Sequence, residues 1–222
     1  MKSVIVIAPH PDDETLGCGG TLLRHKAEGD KVHWLIITGI SEKLGFSADR
    51  VSSRKAEIDK VSESYGFDSV HSLSFPAAGL DQIPLNEIVE AISSVFKEIR
   101  PNIVYLPHRG DVHTDHGVVF DSAAACTKWF RYGHVNRVLA YETLSETGFG
   151  IDPNTRGFEP NVYVNIEPYL ERKLEIFEIY EGEGGVFPFP RSEKTIRALS
   201  SLRGSSAGFI SAEAFMLLRE AV

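Results

Sequence analysis

The sequence predicts an α/β fold, a mostly parallel sheet with helices on both faces. Three observations predict it. Short continuous runs of Val and Ile read as strands buried on both faces. Those runs alternate with segments of helical period. Glycines punctuate the joints where a helix must stop.

Ser3–Ala8 is the first such run. Residues 14–28 follow as a helix, with Leu16, Leu22 and Leu23 on one side and Gly29 at its end. Residues 32–38 form a second buried strand, 39–47 a loop, and 49–65 a helix stopped by Gly66. Residues 69–73 are a third strand. The helix at 84–99 has the clearest period, carried by Leu85, Ile88, Val89, Ile92, Val95, Phe96 and Ile99. Residues 102–106 are a fourth strand and 117–130 a fourth helix. Arg137–Tyr141 and 161–166 are further strands, and 169–180, 193–202 and Ala212–Glu220 carry helical patterns.

The 222 residues suit one domain spanning 1–222. Lys and Arg number 23 against 31 Asp and Glu, a net charge of −8, which argues against nucleic acid and anionic lipid as partners. Two cysteines, Cys18 and Cys126, exclude a disulfide framework and fit a reducing cytoplasm. No apolar run approaches a membrane span. The first strand leads into Pro9-His10-Pro11-Asp12-Asp13, which is not a cleavage site for a leader peptide.

In a parallel sheet, ligands bind beyond the carboxyl ends of the strands. Two such ends carry metal-type ligands: His10-Pro11-Asp12-Asp13-Glu14 after the first strand, and His108 to His116 after the fourth. His and Asp there suit a divalent ion such as zinc, which as a catalyst takes three protein ligands and keeps one position open. His10 and Asp13 can reach one ion from the same turn, and His113 or His116 can add a third ligand. A leftover carboxylate can act as base, and a leftover histidine as acid or electrostatic stabiliser. The simpler alternative is an Asx turn whose side chain caps the next helix. A dinucleotide site is disfavoured, because Gly17, Gly19 and Gly20 follow the acidic residues, which would repel a pyrophosphate. These glycines instead allow close packing of the first helix on the sheet. The polar stretches 144–160 and 182–190 are long enough to rim a binding site.

At these residues the chain resembles the PIG-L/LmbE-like family of metal-dependent N-deacetylases. The hallmarks are His10–Glu14 with Thr15–Thr21 behind it, and Asp111-Val112-His113-Thr114-Asp115-His116. Pro190-Arg191-Ser192, Arg203-Gly204 and Ala212-Glu213-Ala214-Phe215 are similar as well. The resemblance implies a Rossmann-like fold and one zinc per chain, another divalent ion being compatible. It implies His10, Asp13 and His116 as ligands and Asp12 as general base. His113 would stabilise the oxyanion or protonate the leaving amine, oriented by Asp115. Arg54, in an Arg-x-x-Glu segment, would contact the substrate.

The implied activity is removal of the acetyl group from an N-acetylated amino sugar, an N-acetylglucosamine derivative. A hydrolase of another bond, or a sugar-binding relative without activity, is the alternative. A homo-oligomer is compatible with the sequence.

Overall fold

The structure is a computed structural model that describes residues 1–151 and 157–222. One seven-stranded sheet forms its centre. In chain order the elements are β1 (Ser3–Ala8), α1 (Asp13–Ala27), β2 (Lys31–Gly39), α2 (Ala48–Tyr65), β3 (Ser69–Pro76), α3 (Leu85–Ile99) and β4 (Ile103–Pro107). There follow α4 (Thr114–Ala125), β5 (Arg137–Tyr141), β6 (Val162–Asn165), α5 (Leu170–Phe177), α6 (Glu193–Ser205) and β7 (Ala212–Glu220).

The strand order is β3-β2-β1-β4-β5-β7-β6. The pairs from β3 to β5 are parallel, and β7 runs antiparallel to both β5 and β6. The order reverses between β1 and β4, which pair directly through Val4 and Ile103. Such a reversal opens a crevice at the carboxyl ends of the two strands.

Alternation along the central strands builds two cores. Val4, Val6 and Ala8 of β1, with Trp34 and Ile36 of β2, pack under Leu16, Leu22, Val61, Leu174 and Ile196 of α1, α2, α5 and α6. Ile5, Ile7, Leu35 and Ile37 point the other way, onto Ile88, Ile92, Phe96 and Val119 of α3 and α4. Burial on both faces explains why these strands read as unbroken apolar runs.

The glycines of α1 let that helix sit close to the sheet, as expected. A Cβ on Gly17 would collide with the Tyr141 ring, and one on Gly20 would lie 2.6 Å from Ile166 Cβ. Cys18 and Cys126 are both buried and free.

One element differs in kind from its sequence reading. Ala212–Glu220 is a strand, not a helix. Ala, Glu, Met and Leu favour helices, but propensity is a weak prior against tertiary pairing. Here β7 fills the gap between β5 and β6. Its Glu213 accepts from the Gly20 and Thr21 N–H groups (2.9 and 2.8 Å) and from Lys173 Nζ (2.7 Å). Both partners of the ion pair are buried. Removing one partner of a buried pair strands the other charge. A Glu213→Ala variant is therefore expected to lose about 3 kcal/mol of unfolding free energy. Urea unfolding checks this, and a loss below about 1 kcal/mol would show the pair to be dispensable.

A candidate metal and active site

The chain leaves β1 through Pro9, whose carbonyl accepts from both the N–H and the hydroxyl of Thr38 (3.0 and 2.8 Å). This ties the turn to the end of β2. Asp12 then takes φ 140° and ψ −29°, a strained conformation for a residue with a side chain. Its N–H donates to Glu14 Oε2 (3.1 Å). Glu14 is itself buried, with Oε1 accepting from Thr15 Oγ1 (2.5 Å) and Tyr180 Oη (2.7 Å). Burial lifts the Glu14 carboxyl to about 7 against these hydrogen bonds. The kink turns the Asp12 side chain away from the helix: it makes no capping hydrogen bond. The simple Asx-cap reading therefore does not describe this turn.

On the neighbouring strand end, His113 caps α4, its Nδ1 accepting from the Asp115 N–H (3.2 Å). The helix thus begins at Thr114, earlier than the expected 117, and it holds Asp115 and His116 in its first turn. His10, Asp13 and His116 each place one ligand atom within 4.8 Å of the others. Asp13 Oδ2 lies 3.4 Å from His10 Nδ1 and 3.4 Å from His116 Nε2. Two atoms bound at about 2.0–2.1 Å to one tetrahedral ion stand about 3.3 Å apart.

The opposite ring nitrogens meet carboxylates. His10 Nε2 faces Asp115 Oδ2 at 3.0 Å, and His116 Nδ1 faces Asp111 Oδ2 at 2.7 Å. A carboxylate only accepts, so those nitrogens carry protons, and the nitrogens beside Asp13 are the ones an ion would take in exchange for a proton. This is the outer arrangement that orients histidines toward a metal. The residues present fit a divalent ion.

The electrostatics agree. Burial alone would lower the His10 pKa, but Asp115 and Asp13 hold it up at about 9. His116 is raised in the same way by Asp13 and Asp111 against burial. Burial would raise Asp13, yet His116 and His10 hold it low. The cluster therefore attracts cations. Asp12 stands apart: burial, with the charges of Asp13 and Glu183, raises its pKa, against Arg191 and His10. His113 is lowered by burial and by His10, which keeps its ring neutral.

These groups open into a cavity of about 800 Å3. His10, Asp12, Asp13, His113 and His116 line it together. The wall comes from α2 and β3, including Phe46 before α2, Arg54, Ile58, Val70 and Ser72. Of the expected rim stretches, Glu146 and Glu183 line the cavity, as does Thr143 just before the first. Residues 152–156 of the 144–160 stretch lie outside the described residues.

Six of the seven site residues named from the sequence line one cavity, and the seventh, Asp115, is buried behind His10, with one difference of pairing. Asp115 was expected to orient His113. Its carboxylate instead takes His10 Nε2 and the N–H groups of Ala78 (2.8 Å) and Leu80 (3.2 Å), and only its backbone touches His113. The reason is the helix cap: a capping His113 sits above its own Asp115 N–H, while the side chain points across to β1. Arg54 lines the cavity but is already engaged, donating to the Pro11 carbonyl (3.1 Å) and pairing with Glu57 (3.2 Å) and Glu183.

Sequence reasoning gave no role to Asp111, Arg191 or Glu183. Asp111 bridges His116 to Thr147 Oγ1 (2.6 Å), and Arg191 Nη1 donates to Asp12 Oδ2 (3.1 Å). Asp111 was signalled by its place in the distal motif, and Arg191 by the segment 190–192. Nothing in the sequence pointed to Glu183 beyond its glycine-rich setting. A further acidic cluster, His25, Glu28 and Asp30, sits at the end of α1. Both nitrogens of its histidine are occupied, by Asp30 (2.9 Å) and Tyr105 Oη (3.0 Å), so His25 is a strut.

The crevice of a reversed parallel sheet thus holds a His2Asp group that could take a metal ion, with the Asp12 carboxylate beside it on Arg191, as a hydrolase site would. Residues 5–127 match the PIG-L family, described as GlcNAc-PI de-N-acetylase, and the chain belongs to that family. It is 28% identical to the diacetylchitobiose deacetylase of Thermococcus kodakarensis over 96% of this chain and 82% of that one. It is also 28% identical to a Bacillus cereus protein named "Probable N-acetyl-alpha-D-glucosaminyl L-malate deacetylase 2", over 78% of this chain and 80% of that one. The crystal structure of a conserved protein of Thermus thermophilus superposes with a TM-score of 0.80 at 26% identity, covering 100% of this chain and 97% of the other. Among the described residues, no helix is long and apolar enough to cross a membrane.

Proposed function

We propose that this protein is a zinc-dependent hydrolase that removes the acetyl group from an N-acetylglucosamine derivative, giving acetate and a free amine. One observation carries the reading. His10 Nδ1, Asp13 Oδ2 and His116 Nε2 converge in the lining of a cavity of about 800 Å3, with Asp12 in the same lining. Two imidazoles and one carboxylate suit zinc. The named relatives are deacetylases of N-acetylated sugars.

His10, Asp13 and His116 would hold the ion, and Asp115 and Asp111 fix the two rings. An ion bound there supplies Lewis acidity, which acidifies water and polarises the acetamide carbonyl. Asp12, beside the ligand group and in the cavity lining, takes the proton of the attacking water. His113 accepts a hydrogen bond at Nδ1, so its neutral ring carries the proton on Nε2 and donates it toward the oxyanion. Water adds to the carbonyl carbon, the C–N bond breaks, and the amine leaves with the proton that Asp12 received. Free buried thiols at Cys18 and Cys126 fit a cytoplasmic setting.

The test is a panel of N-acetylglucosamine, its glycosides, its oligomers and its nucleotide-linked forms, read for acetate and primary amine. Release that stops on chelation and returns with zinc is the expected result. No release from any member by a protein that holds one metal per chain would move the substrate outside N-acetyl sugars.

A further inference from the structure

The cavity carries a charge arrangement that the proposed reaction does not use. Arg50, Arg54 and Arg191 all line it. Guanidinium groups that converge on a ligand cavity favour an anion, because their planar fork matches carboxylate and phosphate. Here the chain supplies the anions itself. Glu183 Oε1 pairs with Arg54 Nη2 and lies 3.8 Å from Arg50 Nη2, while Oε2 lies 3.3 Å from Arg191 Nη2.

Glu57, buried behind them, takes Arg50 Nη1 (2.7 Å) and Arg54 Nε (3.2 Å). Asp12 takes Arg191 Nη1 (3.1 Å). Each arginine faces two carboxylates, and three cations stand against three anions. The other charged lining groups are Lys55 against Asp59 and Glu146, and Asp13 between His10 and His116, so no cationic surplus remains among the described residues. Glu183 is delivered by a turn in which Gly182 takes φ +83°, a conformation open to glycine.

We propose that Glu183 is a specificity residue, a built-in counter-ion that closes the arginine cluster to anions and commits the cavity to neutral N-acetylated glycosides. The inference rests on the deacetylase reading and adds the substrate class. An aglycone bearing carboxylate or phosphate must either displace Glu183 from three arginines or lie beside it, like charge against like charge. A neutral sugar meets neither obstacle, and its hydroxyls can use the ordered guanidinium and carboxylate edges.

The experiment compares kcat/KM for N,N'-diacetylchitobiose, which is neutral, and N-acetyl-α-D-glucosaminyl L-malate, a dianion. The wild type is expected to favour the neutral substrate by about tenfold or more, since ~1.4 kcal/mol of repulsion suffices. Glu183→Gln is expected to shift that ratio about tenfold toward the malate conjugate, through KM rather than kcat. A wild type that prefers the dianion, or a ratio unmoved by Glu183→Gln, overturns the proposal. L-malate binding by calorimetry gives a second readout that needs no turnover. Binding to Glu183→Gln and not to the wild type supports the counter-ion role, and equal binding to both overturns it. Failure of both substrates to react would count against the deacetylase reading alone, leaving the calorimetry to decide on Glu183.

Discussion

An Asp12→Asn variant is expected to keep one metal per chain and to lose about 10^2- to 10^4-fold in kcat. Asparagine preserves the size of the side chain and an oxygen for Arg191, which contacts Asp12 at 3.1 Å. It also tolerates positive φ as well as aspartate does, so the strained turn at φ 140° survives. What it removes is the capacity to take a proton. None of the three ligand atoms belongs to Asp12. Metal content and turnover should therefore separate. Metal analysis beside steady-state kinetics on the best substrate of the panel measures both. A kcat within about tenfold of the wild type would remove Asp12 from the role of base and point to another carboxylate on the cavity, Glu146 being the candidate at the border of the ligand cluster.

The strands and the site ends were legible in the sequence for one physical reason. Strands buried on both faces must be apolar throughout, so Ser3–Ala8 and its parallel partners declare themselves, and the polar residues that follow stand out against them. Ala212–Glu220 lacks that signature. It lies toward the antiparallel side of the sheet, half of it is partly exposed, and its composition is helical, so only the vacancy between β5 and β6 decides its state. The ligand cluster was legible as two motifs, but not the bonds behind it. Which carboxylate meets which histidine depends on the cap at His113 and on the approach of β1 to β4, and neither is local in sequence. The cavity wall was the least legible part. Phe46, Ile58 and Val70 read as ordinary core or loop residues, and they become a wall only when α2 and β3 come to stand beside the crevice. Glu183 is a long-range case as well, 129 residues from the Arg54 it neutralises.

A His116→Ala variant should lose both metal and turnover, which is the outcome that distinguishes a ligand from a base. His116 is about 1% exposed, and its Nδ1 is held at 2.7 Å by Asp111, which Thr147 in turn holds at 2.6 Å. Alanine deletes the ligand atom and leaves the buried Asp13 and Asp111 carboxylates without the imidazole between them. Two protein ligands remain where a catalytic zinc takes three. Metal content is expected to fall from about one per chain to a trace after dialysis, with activity falling in parallel.

Asp111→Asn should have a milder effect of the same kind. The imidazole stays in place but loses its charged partner, which costs about 10- to 100-fold in metal affinity. Excess zinc should therefore restore Asp111→Asn and not His116→Ala. If His116→Ala instead binds zinc as tightly as the wild type, the ion sits elsewhere. The overlapping group of His10, His113 and Asp115 would then be the site, since its ligand atoms also lie within 4.8 Å of one another without any contribution from α4 beyond Asp115.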